Sequence, residues 1–113
     1  MLNGASGVDT FTVGTSTYAI IAAQVDDGVQ LIDISDPSNP VAVGYATDGE
    51  GGFTKLRGAT GVDTFACGSS ICAIVTCSTP QEQAVQLMDV TNPSAPAAPV
   101  SYTHLTLPTI CSV

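Results

Sequence analysis

The chain repeats itself. Gly4-Ala5-Ser6-Gly7-Val8-Asp9-Thr10-Phe11 returns as Gly58-Ala59-Thr60-Gly61-Val62-Asp63-Thr64-Phe65, 54 residues on. The run from Val29 to Pro40 returns from Val85 to Pro96, 56 residues on, so two residues are inserted between the blocks, near Glu82 and Gln83. A repeat of this length is one supersecondary unit that buries its apolar face against copies of itself. The expected units are residues 2–55 and 56–100, the second cut short. Such arrays generally need about three units or more to close a core. The 113 residues are therefore expected to be a fragment of a longer repeat protein.

Each unit reads as four short strands, in the first copy residues 8–13, 17–23, 29–34 and 41–46. Gly14-Thr15-Ser16, Asp26-Asp27-Gly28 and the stretch from Ser35 to Pro40 separate them. These residue types turn a chain: Gly supplies positive φ, Asp and Asn cap their own turns, and Pro ends a ladder. Asp27-Gly28 between apolar runs signals a hairpin. No segment places apolar residues at helical spacing, and β-branched residues are abundant, so the chain is expected to be all-β. Tyr18-Ala19-Ile20-Ile21-Ala22-Ala23 is apolar or small on both faces, as is Cys72-Ala73-Ile74-Val75 in the second copy. A half-exposed strand would alternate; a strand covered on both sides does not. Four-stranded antiparallel units packed face to face describe the blades of a partial β-propeller. The rival is a small β-sandwich, whose outer face should alternate more cleanly.

The Tyr18–Ala22 run followed by the segment from Gly28 to Gly44 resembles the LVIVD repeat of β-propeller proteins. The resemblance covers both copies, roughly residues 2–100: strand, Asp, a turn with Asp-Pro, then a Pro-led strand, twice in order. It implies a surface or secreted protein. Two departures stand out. An additional Gly-rich stretch, residues 48–52, lies between the units, and the second copy replaces Asp36 by Asn92 and the Asp27-Gly28 hairpin by residues 81–84. Residues 101–113 match nothing in the first copy. They resemble a translated sequencing-adapter tail from a metagenome-derived reading frame and are set apart from the fold.

Ten acidic residues face two basic ones, Lys55 and Arg57, for a formal charge of -8. Nucleic acid and anionic membrane surfaces are poor partners for such a chain, because both are held by Lys and Arg. No apolar run approaches the ~20 residues of a membrane-spanning helix.

Candidate chemistry is sparse. His104 is the only histidine and lies in the set-apart tail, so neither a Ser-His-Asp nor a Cys-His mechanism has a base held by the fold. Asp33 and Asp89 recur in the third strands. They are expected to accept backbone N–H bonds at the strand exits, together with Asp36, rather than to converge as a catalytic pair. Asp9 and Asp63, inside the first strands, invite the same structural reading. Asp26, Asp27, Asp48 and Glu50 form the best candidate cation site, yet fall short of the six to eight oxygens calcium takes. Cys67, Cys72 and Cys77 stand where the first copy has Val13, Tyr18 and Ala23. Without CxxC spacing or a usable His, they read as small buried residues, or, for Cys67 and Cys72, as a bridge across the hairpin in an oxidising compartment. Cys111 belongs to the tail. Gly49-Glu50-Gly51-Gly52 lacks the Lys-Ser/Thr ending of a phosphate loop.

These features predict a non-enzymatic structural or binding module, which the resemblance places at the cell surface or outside the cell. No catalytic, cofactor or metal residues are assigned. Its ligand would be a protein or glycan, and it would need neighbouring repeats of its parent chain. The alternative is a propeller enzyme or calcium-dependent carbohydrate-binding protein whose site forms only with further blades. Taken alone, the chain should leave edge strands and one face of each sheet exposed.

Overall fold

The computed structural model describes residues 2–53, 56–78 and 84–98. Every regular element among them is a strand: β1 (Ala5–Val13), β2 (Ser16–Ala23), β3 (Gly28–Asp33), β4 (Val41–Thr47), β5 (Ala59–Cys67), β6 (Ser70–Cys77) and β7 (Val85–Asp89). They form two antiparallel meanders, a four-stranded sheet ordered β1-β2-β3-β4 and a three-stranded sheet ordered β5-β6-β7. The all-β, blade-like expectation holds. The first-unit strands lie where the sequence places them, except that β1 begins earlier, at Ala5. An irregularity between Ala5 and Gly7 shifts the register by one residue and lets pairing continue to Ala23.

The second sheet repeats the register of the first. Phe11 faces Tyr18 across β1 and β2, as Phe65 faces Cys72 across β5 and β6. Ile20 faces Leu31, as Ile74 faces Leu87. Where the second unit is expected to have its fourth strand, the described residues show one bridge, in which Asp89 and Ala97 exchange backbone hydrogen bonds of 2.7 and 3.0 Å. That bridge is the counterpart of the Asp33–Val41 pair. The insertion, the rest of the expected fourth strand, and the tail with His104 and Cys111 lie outside the described residues.

The hairpin expected at Asp26-Asp27-Gly28 forms, with Gly28 already in β3, paired with Ala23 and Thr47. The left-handed residue is Asp27, with φ 53°. Asp tolerates this conformation better than most residues because its short side chain can hydrogen-bond nearby. Here its carboxylate accepts the Gly58 N–H at 2.8 Å.

The sheets stack face to face around one core. Phe11, Ile20, Val29 and Leu31 come from the first sheet, and Ala59, Ala73, Val75 and Met88 from the second. Phe53 and Leu56, on the connection between them, fill the same core. Ile20, Leu31, Leu56 and Met88 are fully buried.

Unlike faces meet in this stack. Val75 and Met88 of the second sheet are covered by the first. Their counterparts 54 and 56 residues earlier, Ile21 and Ile32, lie on the far side of the first sheet and remain half-exposed. Conversely, Phe11 is 8 % exposed in the stack, whereas its counterpart Phe65 is 44 % exposed. A sandwich whose two like units pack through their inner faces would bury the same positions in both sheets. The observed offset instead carries one sheet onto the next, consistent with neighbouring propeller blades.

Candidate functional site

The polar chemistry of the molecule gathers at the seam between the sheets. Thr64 of β5 donates from its N–H and its Oγ1 to Asp9 Oδ2 of β1, both at 2.7 Å. The same hydroxyl lies 3.3 Å from the Thr10 carbonyl oxygen, and Thr64 N–H also reaches its neighbour Asp63 Oδ1 at 3.0 Å. Ser6 Oγ donates to the Ala59 carbonyl at 3.3 Å. Gly7 lets the two first strands approach: a Cβ there would stand 2.7 Å from the Thr60 carbonyl oxygen. Gly44 does the same at the other edge, where a Cβ would collide with the Pro93 carbonyl. The Asp9 carboxyl is held below the usual aspartate range, chiefly by the Thr64 hydroxyl, against the opposing effect of partial burial.

Asp9 accepts a backbone N–H as expected, but from Thr64 of the other sheet, so it also holds two sheets together. Its signal in the sequence was the Asp-Thr pair in both octets, since the donor of one unit and the acceptor of the other occupy adjacent repeat positions.

Asp33 and Asp89 take their expected places at the strand exits. Ser35 N–H donates to Asp33 Oδ1 at 2.8 Å, and Thr91 N–H to Asp89 Oδ1 at 2.9 Å. These bonds lower both carboxyls; the backbone N–H of Ser35 leads at Asp33, and the Thr91 side chain leads at Asp89. The hydroxyls of Ser35 and Thr91 in turn accept the N–H groups of Thr17 and Ile71, tying each exit to the start of the second strand. One residue further on, Asp36 Oδ1 accepts both Ser38 N–H and Ser38 Oγ, at 3.2 and 2.7 Å. Asn92 makes the same pair of contacts with Ser94, so the Asp-to-Asn change keeps the turn and drops a charge. The structure does not bring Asp33 and Asp89 together as a pair.

The four acids of the candidate cation site are each drawn into the scaffold. Asp26 Oδ2 accepts Asn3 N–H at 3.0 Å, Asp27 Oδ1 accepts Gly58 N–H, and Asp48 Oδ1 accepts Leu56 N–H at 3.1 Å. Glu50 Oε1 accepts the Thr47 hydroxyl at 2.8 Å. Among the described residues no three His, Cys, Asp or Glu side chains are grouped to hold a metal ion.

Cys67 and Cys72 are joined by a disulfide across the β5–β6 hairpin, with Cα atoms 5.9 Å apart. They occupy the places of Val13 and Tyr18, where the first sheet instead stacks Tyr18 on Phe11 with ring centroids 5.6 Å apart. Cys77, buried and outside that disulfide, is hydrogen-bonded to Ala84 across the β6–β7 connection.

Among the described residues the surface shows open, shallow depressions. One of about 210 Å³ is lined by Tyr45, Thr47, Glu50, Gly51, Phe53 and Pro96, at the end of β4. Another of about 210 Å³ lies on the far face of the first sheet, between Val8 and Ile21. No described helix is long and apolar enough to cross a membrane.

Comparison with known proteins places one segment. Residues 16–48, from the start of β2 through β3 and β4, match the LVIVD repeat family. Neither the curated proteins nor the solved structures gave a match. The matched segment contains the Asp33–Ser35 and Asp36–Ser38 turns, which residues 89–94 reproduce in the second sheet. Residues 16–48 are thus similar to the LVIVD repeat, within a chain built from two blade-like antiparallel sheets.

Proposed function

We propose that the chain is a non-enzymatic repeat module of a surface or secreted protein, which works stacked against further repeats and presents its turns to a protein or glycan ligand. One observation carries this reading. Asp9, Asp26, Asp27, Asp33, Asp36, Asp48 and Asp89 each already accept a backbone N–H, so the acids serve the scaffold. The Cys67–Cys72 disulfide supports an oxidising, extracellular setting, where such bonds persist. The depression beside Tyr45 suits a ligand with a flat apolar face, such as a sugar ring, because the phenol is 59 % exposed and Glu50 lines the same hollow.

The test is a glycan-array and hydrolase-substrate survey with the full chain and its Tyr45→Ala variant. Binding that weakens about tenfold or more in the variant, with no turnover, is the expected result. Turnover that disappears on replacing a single carboxylate would overturn the reading in favour of an enzyme.

A further inference from the structure

The two outward faces of the molecule are shaped like the two faces that already meet inside it. On the far side of the first sheet stand Val8, Thr10, Ile21 and Gln30; on the second sheet the same repeat positions hold Val62, Thr64, Val75 and Gln86, which pack or hydrogen-bond at the seam. On the outward side of the second sheet stand Asp63, Phe65, Ile74 and Leu87. The same positions of the first sheet hold Asp9, Phe11, Ile20 and Leu31, which form the other half of the seam. Exposure follows the pairing: Val8 is 63 % and Phe65 44 % exposed, while Ile20 and Leu31 are fully buried. Each outward face therefore has its complement on the opposite end of the same chain.

We propose that a second copy of this chain seats its β1–β4 sheet on the outward face of the β5–β7 sheet, head to tail, with Thr10 of the incoming copy donating to Asp63. This rests on the reading of the repeats as stacking units. The occupant is set by three features of the established seam that recur at the outward faces. The donor–acceptor pair is Thr10 with Asp63 in place of Thr64 with Asp9. The close approach is given by Gly61 in place of Gly7. The apolar residues are Phe65 and Val8 in place of Phe11 and Val62, which belong to the seam's core. The interface is heterologous, so it adds copies in one direction and closes only if the rotation between copies closes a ring.

The experiment blocks one face at a time in the full chain. Val8→Glu spoils the first-sheet face and Phe65→Glu the second, both at exposed positions, and far-UV circular dichroism with urea unfolding establishes that each variant keeps its fold. Sedimentation velocity should show wild type associating, each variant alone monomeric, and an equimolar mixture of the two forming a 1:1 dimer. A folded wild type that stays monomeric at millimolar concentration would overturn the proposal, as would a mixture that fails to dimerise. Thr10→Val and Asp63→Ala are the milder pair. Each should weaken association about tenfold, and the two losses should be less than additive when both act on one contact. Failure here is separable from failure of the stacking reading itself, which is tested inside one chain by the effect of Thr64→Val on stability.

Discussion

Thr64 concentrates more of the inter-sheet chemistry than any apolar pair does, since one residue supplies two short hydrogen bonds to a single carboxylate oxygen. Hydrogen bonds to charged groups contribute more than neutral ones, but Asp9 is only half-buried, so solvent screening reduces the effect. Thr64→Val, which keeps the shape and removes the hydroxyl, should destabilise the chain by about 1 kcal/mol in urea unfolding. Thr10→Val, its counterpart on an outward face, should change the monomer little. The carboxyls also set a pH dependence. Asp9, Asp33 and Asp89 have folded-state values below the ordinary one, so the stability they contribute is complete above the unfolded value of about 3.9 and is lost as pH falls through the lower folded value. Urea midpoints should therefore be flat from pH 7 to about 5 and fall below about 4, and Asp9→Asn should flatten part of that fall. Asp33 and Asp89 were legible from sequence because their partners lie two residues away. The partner of Asp9 lies 55 residues away, and the Asp-Thr pair in both octets points to it only once the sheets are known to stack.

At the scale of the strand, equivalent positions separate by what covers them. Leu31 of β3 and Leu87 of β7 share a register partner type, Ile20 and Ile74, but only Leu31 is sealed between sheets. Leu31→Ala should cost roughly 2–5 kcal/mol, the range for a buried leucine, and Leu87→Ala markedly less. Equal losses would show that the outward face of the second sheet is covered after all. The strands themselves were readable, because Gly14, the acids at 26–27 and the run from Ser35 to Pro40 punctuate apolar segments of the right length. Less readable was which residue of a turn takes the unusual conformation. In the Asp26-Asp27-Gly28 turn it is Asp27, whose carboxylate also accepts Gly58 N–H on the next unit, a tertiary contact that dipeptide preferences ignore. The disulfide was open in the sequence for a similar reason: Cys67 and Cys72 flank a short turn either way, and only the β5–β6 register sets their Cα atoms 5.9 Å apart.

For the molecule as a whole, the formal charge of -8 opposes the self-association that its faces invite. Copies repel at low ionic strength, and at 0.15 M salt the Debye length is about 8 Å. Association should therefore strengthen as sodium chloride rises from 10 to 500 mM, at concentrations read by sedimentation; weakening would mark the contact as one between opposite charges. The stacked architecture was foreseen from the internal repeat and from Tyr18–Ala23, apolar on both sides. Its direction was not, because a repeat shows that units are alike without showing which side of one meets which side of the next. That direction bears on how such a chain lengthens over evolutionary time. With unlike faces in contact, a tandem duplication hands each new unit a ready-made fit at both ends, so length can change by whole units while the joint between them stays constant.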